Sequence, residues 1–168
     1  WTIRPCFEFL IKQRLIIPHQ GTASDEIHDM FNRLILQYPV KYLHQLGEAY
    51  SENEPVFVGV GKSGNIHRVP QRNCKIKIGT AERPDSCRGG DYNLVHLSEV
   101  GLWKKTKGKT PEDIVQSACS GMPLKPYTMI VYESTAKGTG NFFHQEYMAA
   151  RDGKSQFEAL FVAWWEID

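Results

Sequence analysis

Apolar residues fall into short runs separated by polar, Gly- and Pro-containing connections, and their period changes along the chain. Residues 14–18 (RLIIP), 76–78 (IKI), 94–97 (LVHL) and 127–133 (YTMIVYE) are short, β-prone and bounded by turn chemistry, the form of buried strands. Elsewhere the period is helical. Ile27, Met30, Phe31, Leu34 and Ile35 recur at i, i+3, i+4, i+7 and i+8, which predicts one core-facing stripe. Ser24 is the expected N-cap, Asp25 and Glu26 suit the positive helix end, and Pro39 is the stop. His28, between stripe positions, is expected to be partly exposed. Thr110-Pro111-Glu112-Asp113 predicts a second helix, with Thr110 as N-cap, Pro111 in the tolerant first position and Asp113 closing a capping box. A third is expected over 141–151, burying Phe142, Phe143, Tyr147 and Met148 and ending at Gly153. Residues 157–167 predict a final strand, with 158–165 in the sheet, and 55–60 and 74–79 an accessory antiparallel pair. Strand runs alternating with helical runs place the chain in the α/β class, with a central, mostly parallel sheet flanked by helices.

A length of 168 residues is one domain's worth and enough to bury a core. A net charge of +1 gives no global field for nucleic acid or membrane, so any DNA contact must come from a local patch. No apolar run approaches the roughly 18 residues of a membrane span, and no signal-peptide pattern is present. Cys6, Cys74, Cys87 and Cys119 lack C-x-x-C spacing, which argues for reduced thiols and a cytoplasmic location rather than a zinc site or disulfides.

Two strand ends carry candidate chemistry. The run at 94–97 empties into Ser98-Glu99, and ligands of open α/β sheets lie beyond the carboxyl ends of the strands. An acid there has the form of a Walker B element, where a carboxylate orients water beside Mg²⁺; the plain alternative is a surface acid closing a strand. The run at 127–133 likewise leads into Glu133-Ser134-Thr135-Ala136 and a Gly-rich turn. Gly61-Lys62-Ser63 imitates a phosphate loop, but G-x-x-x-x-G-K-[ST] requires Gly where Val56 stands, and turn and strand chemistry follows it. A hairpin is expected there. Ser134-Thr135-Ala136-Lys137 spells the S-x-x-K of acyl enzymes without the companion S-D-N and K-T-G motifs. Residues 103–109, with four lysines, read as a solvated loop, the alternative being contact with DNA phosphate or nucleotide.

Gly79-Thr80-Ala81, Arg88-Gly89, residues 95–100 (VHLSEV) with Trp103, Glu133-Ser134-Thr135-Ala136 with Gly138, and residues 161–165 (FVAWW) occur in an order that resembles the ATPase domain of the large terminase subunit of tailed phages. The likeness runs from about Leu15 to the end and implies a P-loop NTPase, helicase-like core, incomplete at its N-terminus. In that family the phosphate loop precedes the strand matching 15–18 and a nuclease domain would follow Asp168, so the chain reads as a partial ATPase domain. The resemblance implies ATP and Mg²⁺ as cofactors, Glu99 and Arg88 as catalytic residues, and Ser98 with Glu99 at the metal. It places Ser98, Glu133, Ser134 and Thr135 at the nucleotide, the last three in the motif coupling hydrolysis to movement. Arg88 would be the finger that a neighbouring subunit offers to the γ-phosphate, or else a loop brace held by Asp85 or Asp91. Ser98 stands where the general Walker B pattern has Asp, as in the family's similar His-x-Ser-Glu form. The implied activity is ATP hydrolysis that packages double-stranded DNA into a capsid. A homo-oligomeric ring, a small terminase subunit and a portal would be its partners, in the host bacterial cytoplasm. A non-catalytic remnant and a helicase-like motor of other duty are the alternatives.

Overall fold

The computed structural model describes residues 13–37, 61–69, 73–105, 109–122 and 125–166. Six strands form one sheet: β1 (Gln13–Ile17), β2 (Gly61–Ser63), β3 (Ile66–Val69), β4 (Cys74–Ile78), β5 (Leu94–Leu97) and β6 (Met129–Tyr132), in the spatial order β2-β3-β4-β1-β5-β6. The β4-β1-β5-β6 half is parallel and the β2-β3-β4 part is antiparallel. The α/β class and the mostly parallel sheet are as the runs predict.

Among the described residues three helices accompany it, α1 (Gly21–Gln37), α2 (Pro111–Cys119) and α3 (Phe142–Arg151). The register Leu15↔Val95↔Ile130 and Ile17↔Leu97↔Tyr132 turns these side chains to one face. There Leu15, Ile17, Val95 and Leu97 bury themselves against Ile114 and Ala118 of α2 and against Trp103, with Phe142 and Phe143 of α3 packed alongside. The opposite face carries Ile16, Ile76 and Ile78, and α1 packs against β4.

Helix α2 opens as expected. Thr110 accepts from the Asp113 amide, and the Asp113 carboxylate takes the Thr110 N–H at 2.9 Å. Asn141 caps α3 by accepting from His144 N–H at 2.9 Å, and Gly153, at φ +70°, follows its last turn. The inward side chains of α3 are only half-buried.

Five expectations are corrected. Helix α1 begins at Gly21, so Ser24 is no cap; its hydroxyl donates instead to the Gly79 carbonyl at 2.6 Å, clamping the helix to the end of β4. Met30 is 52% exposed, and among the described side chains of α1 the buried ones are Ser24, His28 and Phe31. His28 is 6% exposed, its Nδ1 lying 2.6 Å from Nε2 of the fully buried His67 on β3, so a partner strand made a core position of it. Strand β4 is not accessory: it lies inside the sheet and joins its parallel and antiparallel parts, while 55–60 lies outside the described residues.

The fifth correction is the last strand. Residues 158–163 are irregular, a 3-10 turn covers Trp164–Glu166, and Leu160 and Phe161 are 81% and 72% exposed. A β-prone run becomes a strand only beside a partner edge, and β6 is here the outermost strand of the sheet. Among the described residues no helix is long and apolar enough to cross a membrane. Cys74 and Cys87 are buried and Cys119 is half-buried.

Candidate functional site

Strands β5 and β6 run parallel in the register Leu97↔Tyr132, so the residues that follow them leave the sheet side by side. Ser98-Glu99 and Glu133-Ser134-Thr135 are those residues. The Glu133 amide donates to the Leu97 carbonyl at 3.0 Å and the Val100 amide to the Glu133 carbonyl at 3.1 Å, which extends the pairing past both strand ends. The structure therefore joins five of the six residues singled out from the sequence.

Glu99 sits in the left-handed region, φ +53° and ψ +44°, and opens a 3-10 turn over Val100–Leu102. That backbone costs a side-chain-bearing residue about 1 kcal/mol or more and aims its carboxylate away from the strand. Its Oε2 accepts from the Ser134 hydroxyl at 3.3 Å, the Thr135 hydroxyl at 3.2 Å and the Thr135 amide at 3.4 Å. Oε1 takes no hydrogen bond from the described residues. One oxygen is thus anchored, and the other is left to face a water molecule or a cation. Ser134 Oγ in turn accepts from the Gly101 amide at 3.0 Å. A Cβ on Gly101 would stand 2.8 Å from that oxygen, so only glycine permits the approach.

Glu133 is the second carboxylate, and it is fully engaged. His96 Nε2 lies 3.5 Å from its Oε1, and hydrogen bonds from His96, from the Ser98 hydroxyl and from the Glu99 amide hold its pKa below the ordinary value of 4.5, against the opposing effect of burial. His96 and Ser98 project together because they are two apart on β5. The histidine is the participant that the sequence reading missed; its alternation with Ser98 along the strand was the available signal. Trp103 Nε1 donates to the Ser98 carbonyl at 3.1 Å and pins the turn from below.

Arg88 lies apart. It caps a 3-10 turn over Pro84–Cys87, exposes its side chain, and reaches Asp85 at 3.5 Å, where Lys109 also binds at 2.6 Å. Lys109 is the main cause of the lowered Asp85 pKa. No hydrogen bond or ion pair joins Arg88 to the Glu99 cluster.

Gly61-Lys62-Ser63 is strand β2 of the hairpin closed by Gly64-Asn65, with Ser63 opposite Ile66, so it is no phosphate loop. Among the described residues no group of three His, Cys, Asp or Glu side chains could hold a metal. Mg²⁺ needs less than that, because it keeps several waters and binds through one or two carboxylates plus substrate phosphates. The free oxygen of Glu99 fits that demand, whereas Ser98 gives its hydroxyl to Glu133, and Glu133 is taken up by His96, Ser98 and the Glu99 amide. No protein-family model matches the chain, and no curated protein matches it either. The chemistry of the site is therefore read from its own geometry.

Proposed function

We propose that the chain is part of the ATPase motor of a phage terminase large subunit, which hydrolyses ATP to move double-stranded DNA. One observation carries the reading: an acid at the carboxyl end of β5 is held by hydroxyls at the end of the adjacent parallel strand β6. In this reading Glu99 orients and polarises the attacking water through its free oxygen, and that carboxylate rather than Ser98, whose hydroxyl is spent on Glu133, would hold Mg²⁺. Bound Mg²⁺ supplies charge neutralisation on the phosphates. Ser134 and Thr135 relay a change at Glu99 to β6, because any movement of that carboxylate breaks their hydrogen bonds. Arg88, exposed and with no bond to Glu99, suits a neighbour's site better than its own.

The test is Mg-ATP turnover with duplex DNA by the intact gene product. Glu99→Gln is expected to lower turnover by about two to four orders of magnitude while nucleotide binding persists. Turnover within a few-fold of the unsubstituted protein rejects the reading. Mixing Arg88→Ala with Glu99→Gln subunits then tests the ring. Partial recovery of activity is expected if Arg88 acts across an interface, and none despite proven co-assembly rejects that role.

A further inference from the structure

The amino-terminal edge of the sheet, at the other end of β1 from Ile17 and Ser98, carries cations that meet no carboxylate of the described residues. Strands β3 and β4 pair with Arg68 opposite Lys75, and β1 sets Gln13 beside Lys75 on the other side. Partners in register project to one face, so Arg68, Lys75 and Gln13 form a single row across three strands. Like charges directly opposite each other destabilise an antiparallel pair. Neither Arg68 nor Lys75 forms an ion pair with a described residue.

The row borders a cavity of about 380 Å³, whose lining is completed by Asn73 and Cys74. That volume is within the range of small-ligand sites. Gln13 buries its side-chain oxygen without a hydrogen-bond partner; turning the amide over presents an NH₂ donor at the same place. The next residue, Arg14, is only 6% exposed on the opposite face, and its Nε is buried without a partner as well. This edge of the sheet therefore holds positive charge and donor capacity that the described protein groups leave unused.

We infer that the row Arg68–Lys75–Gln13 is a binding site for a phosphate-bearing anion. A shared anion turns the repulsion between the two cations into common attraction. Arg68 offers a planar fork for two phosphate oxygens and Lys75 a compact charge beside it. The row spans two strand spacings, roughly 10 Å, which suits linked phosphates better than one. Linked phosphates come either from a nucleic-acid backbone or from a soluble polyphosphate. The site lies about 15 Å of strand from the Glu99 end and does not depend on the reading of that cluster.

Thermal unfolding of the full chain, alone, with inorganic tripolyphosphate and with a short DNA duplex, tests the inference. The unsubstituted chain is expected to melt a few degrees higher with saturating anion. Arg68→Gln/Lys75→Gln, relieved of like-charge repulsion, is expected to melt no lower than the unsubstituted chain in plain buffer and to lose that rise. A general loss of structure would instead lower both readings. Should the double variant not fold, Lys75→Gln alone is read the same way. A rise with duplex DNA, with a salt slope of binding that falls by about two on the double substitution, assigns the phosphate to nucleic acid. A rise with tripolyphosphate only assigns it to a small anion. No rise with either anion, or a rise undiminished by the substitutions, overturns the site.

Discussion

The hydroxyl of Thr135 donates to the carboxylate of Glu99 across 3.2 Å, although 36 residues separate them along the chain. The contact exists because β5 and β6 are parallel neighbours and because Glu99 takes a left-handed backbone where its strand ends. A residue with an ordinary extended backbone would carry its side chain elsewhere. The strain at Glu99 and its position in the cluster are thus one feature, and they can be separated by substitution.

Glu99→Gly is expected to leave the fold as stable as before, or to stabilise it by up to about 1 kcal/mol, because glycine adopts φ +53° without steric cost. The three hydrogen bonds to Oε2 are lost, but Ser134 and Thr135 are partly or fully exposed and can turn to water. Chemical denaturation checks it. A loss of more than about 2 kcal/mol would make Glu99 a structural anchor.

Gly101→Ala acts on the same cluster from beneath. The new methyl must displace Ser134 Oγ, 2.8 Å from where it would stand, and with it the hydrogen bond from the Gly101 amide. Overpacking of this kind costs about 1–3 kcal/mol. The expected result is a destabilised chain in which Gly101→Ala/Ser134→Ala recovers part of the loss, read from a double-mutant cycle. Full additivity would show that the two residues do not meet.

Glu133 gives the site a pH dependence of known sign. Its hydrogen bonds with His96 and Ser98 depress the folded pKa below 4.5, so in the folded chain it gives up its proton more readily than in the unfolded one. The resulting stabilisation is complete above the unfolded value and is lost as pH falls through 4.5 toward the folded value. Because the side chain is 43% exposed, the effect is below about 1 kcal/mol. Glu133→Gln is expected to show a shallower loss of stability between neutral pH and about pH 3. An unchanged acid limb would remove Glu133 from the account.

The His28–His67 contact holds α1 to the hairpin. At 2.6 Å one ring nitrogen donates and the other accepts, and Phe31 lies against the His67 ring with centroids 4.2 Å apart. His67→Ala leaves the Nδ1 of His28 without this partner and removes the ring from the core, an expected cost of about 2–4 kcal/mol. Urea unfolding measures it. A cost below about 0.5 kcal/mol would mean that the contact contributes nothing to the fold.

What the sequence alone determined is local. The runs at 14–18, 76–78, 94–97 and 127–133, the Thr110-Asp113 capping box and the hairpin at Gly64-Asn65 depend on a few neighbouring residues, and all are present as expected. Ser98, Glu99 and the Glu133-Ser134-Thr135 segment could be singled out because an acid where a strand stops stands out by position. Pairing was not legible. A run such as residues 74–78 (CKIKI) states which side chains want burial, yet nothing in it names β1 and β3 as its neighbours. The same gap misplaced residues 158–163, which have strand propensity but pair with no described strand, and His28, whose burial waits on a histidine 39 residues away. Only the tertiary structure decided that Glu99 and Thr135 meet, because strand register is set by the joint burial of both sheet faces, a property of the whole chain.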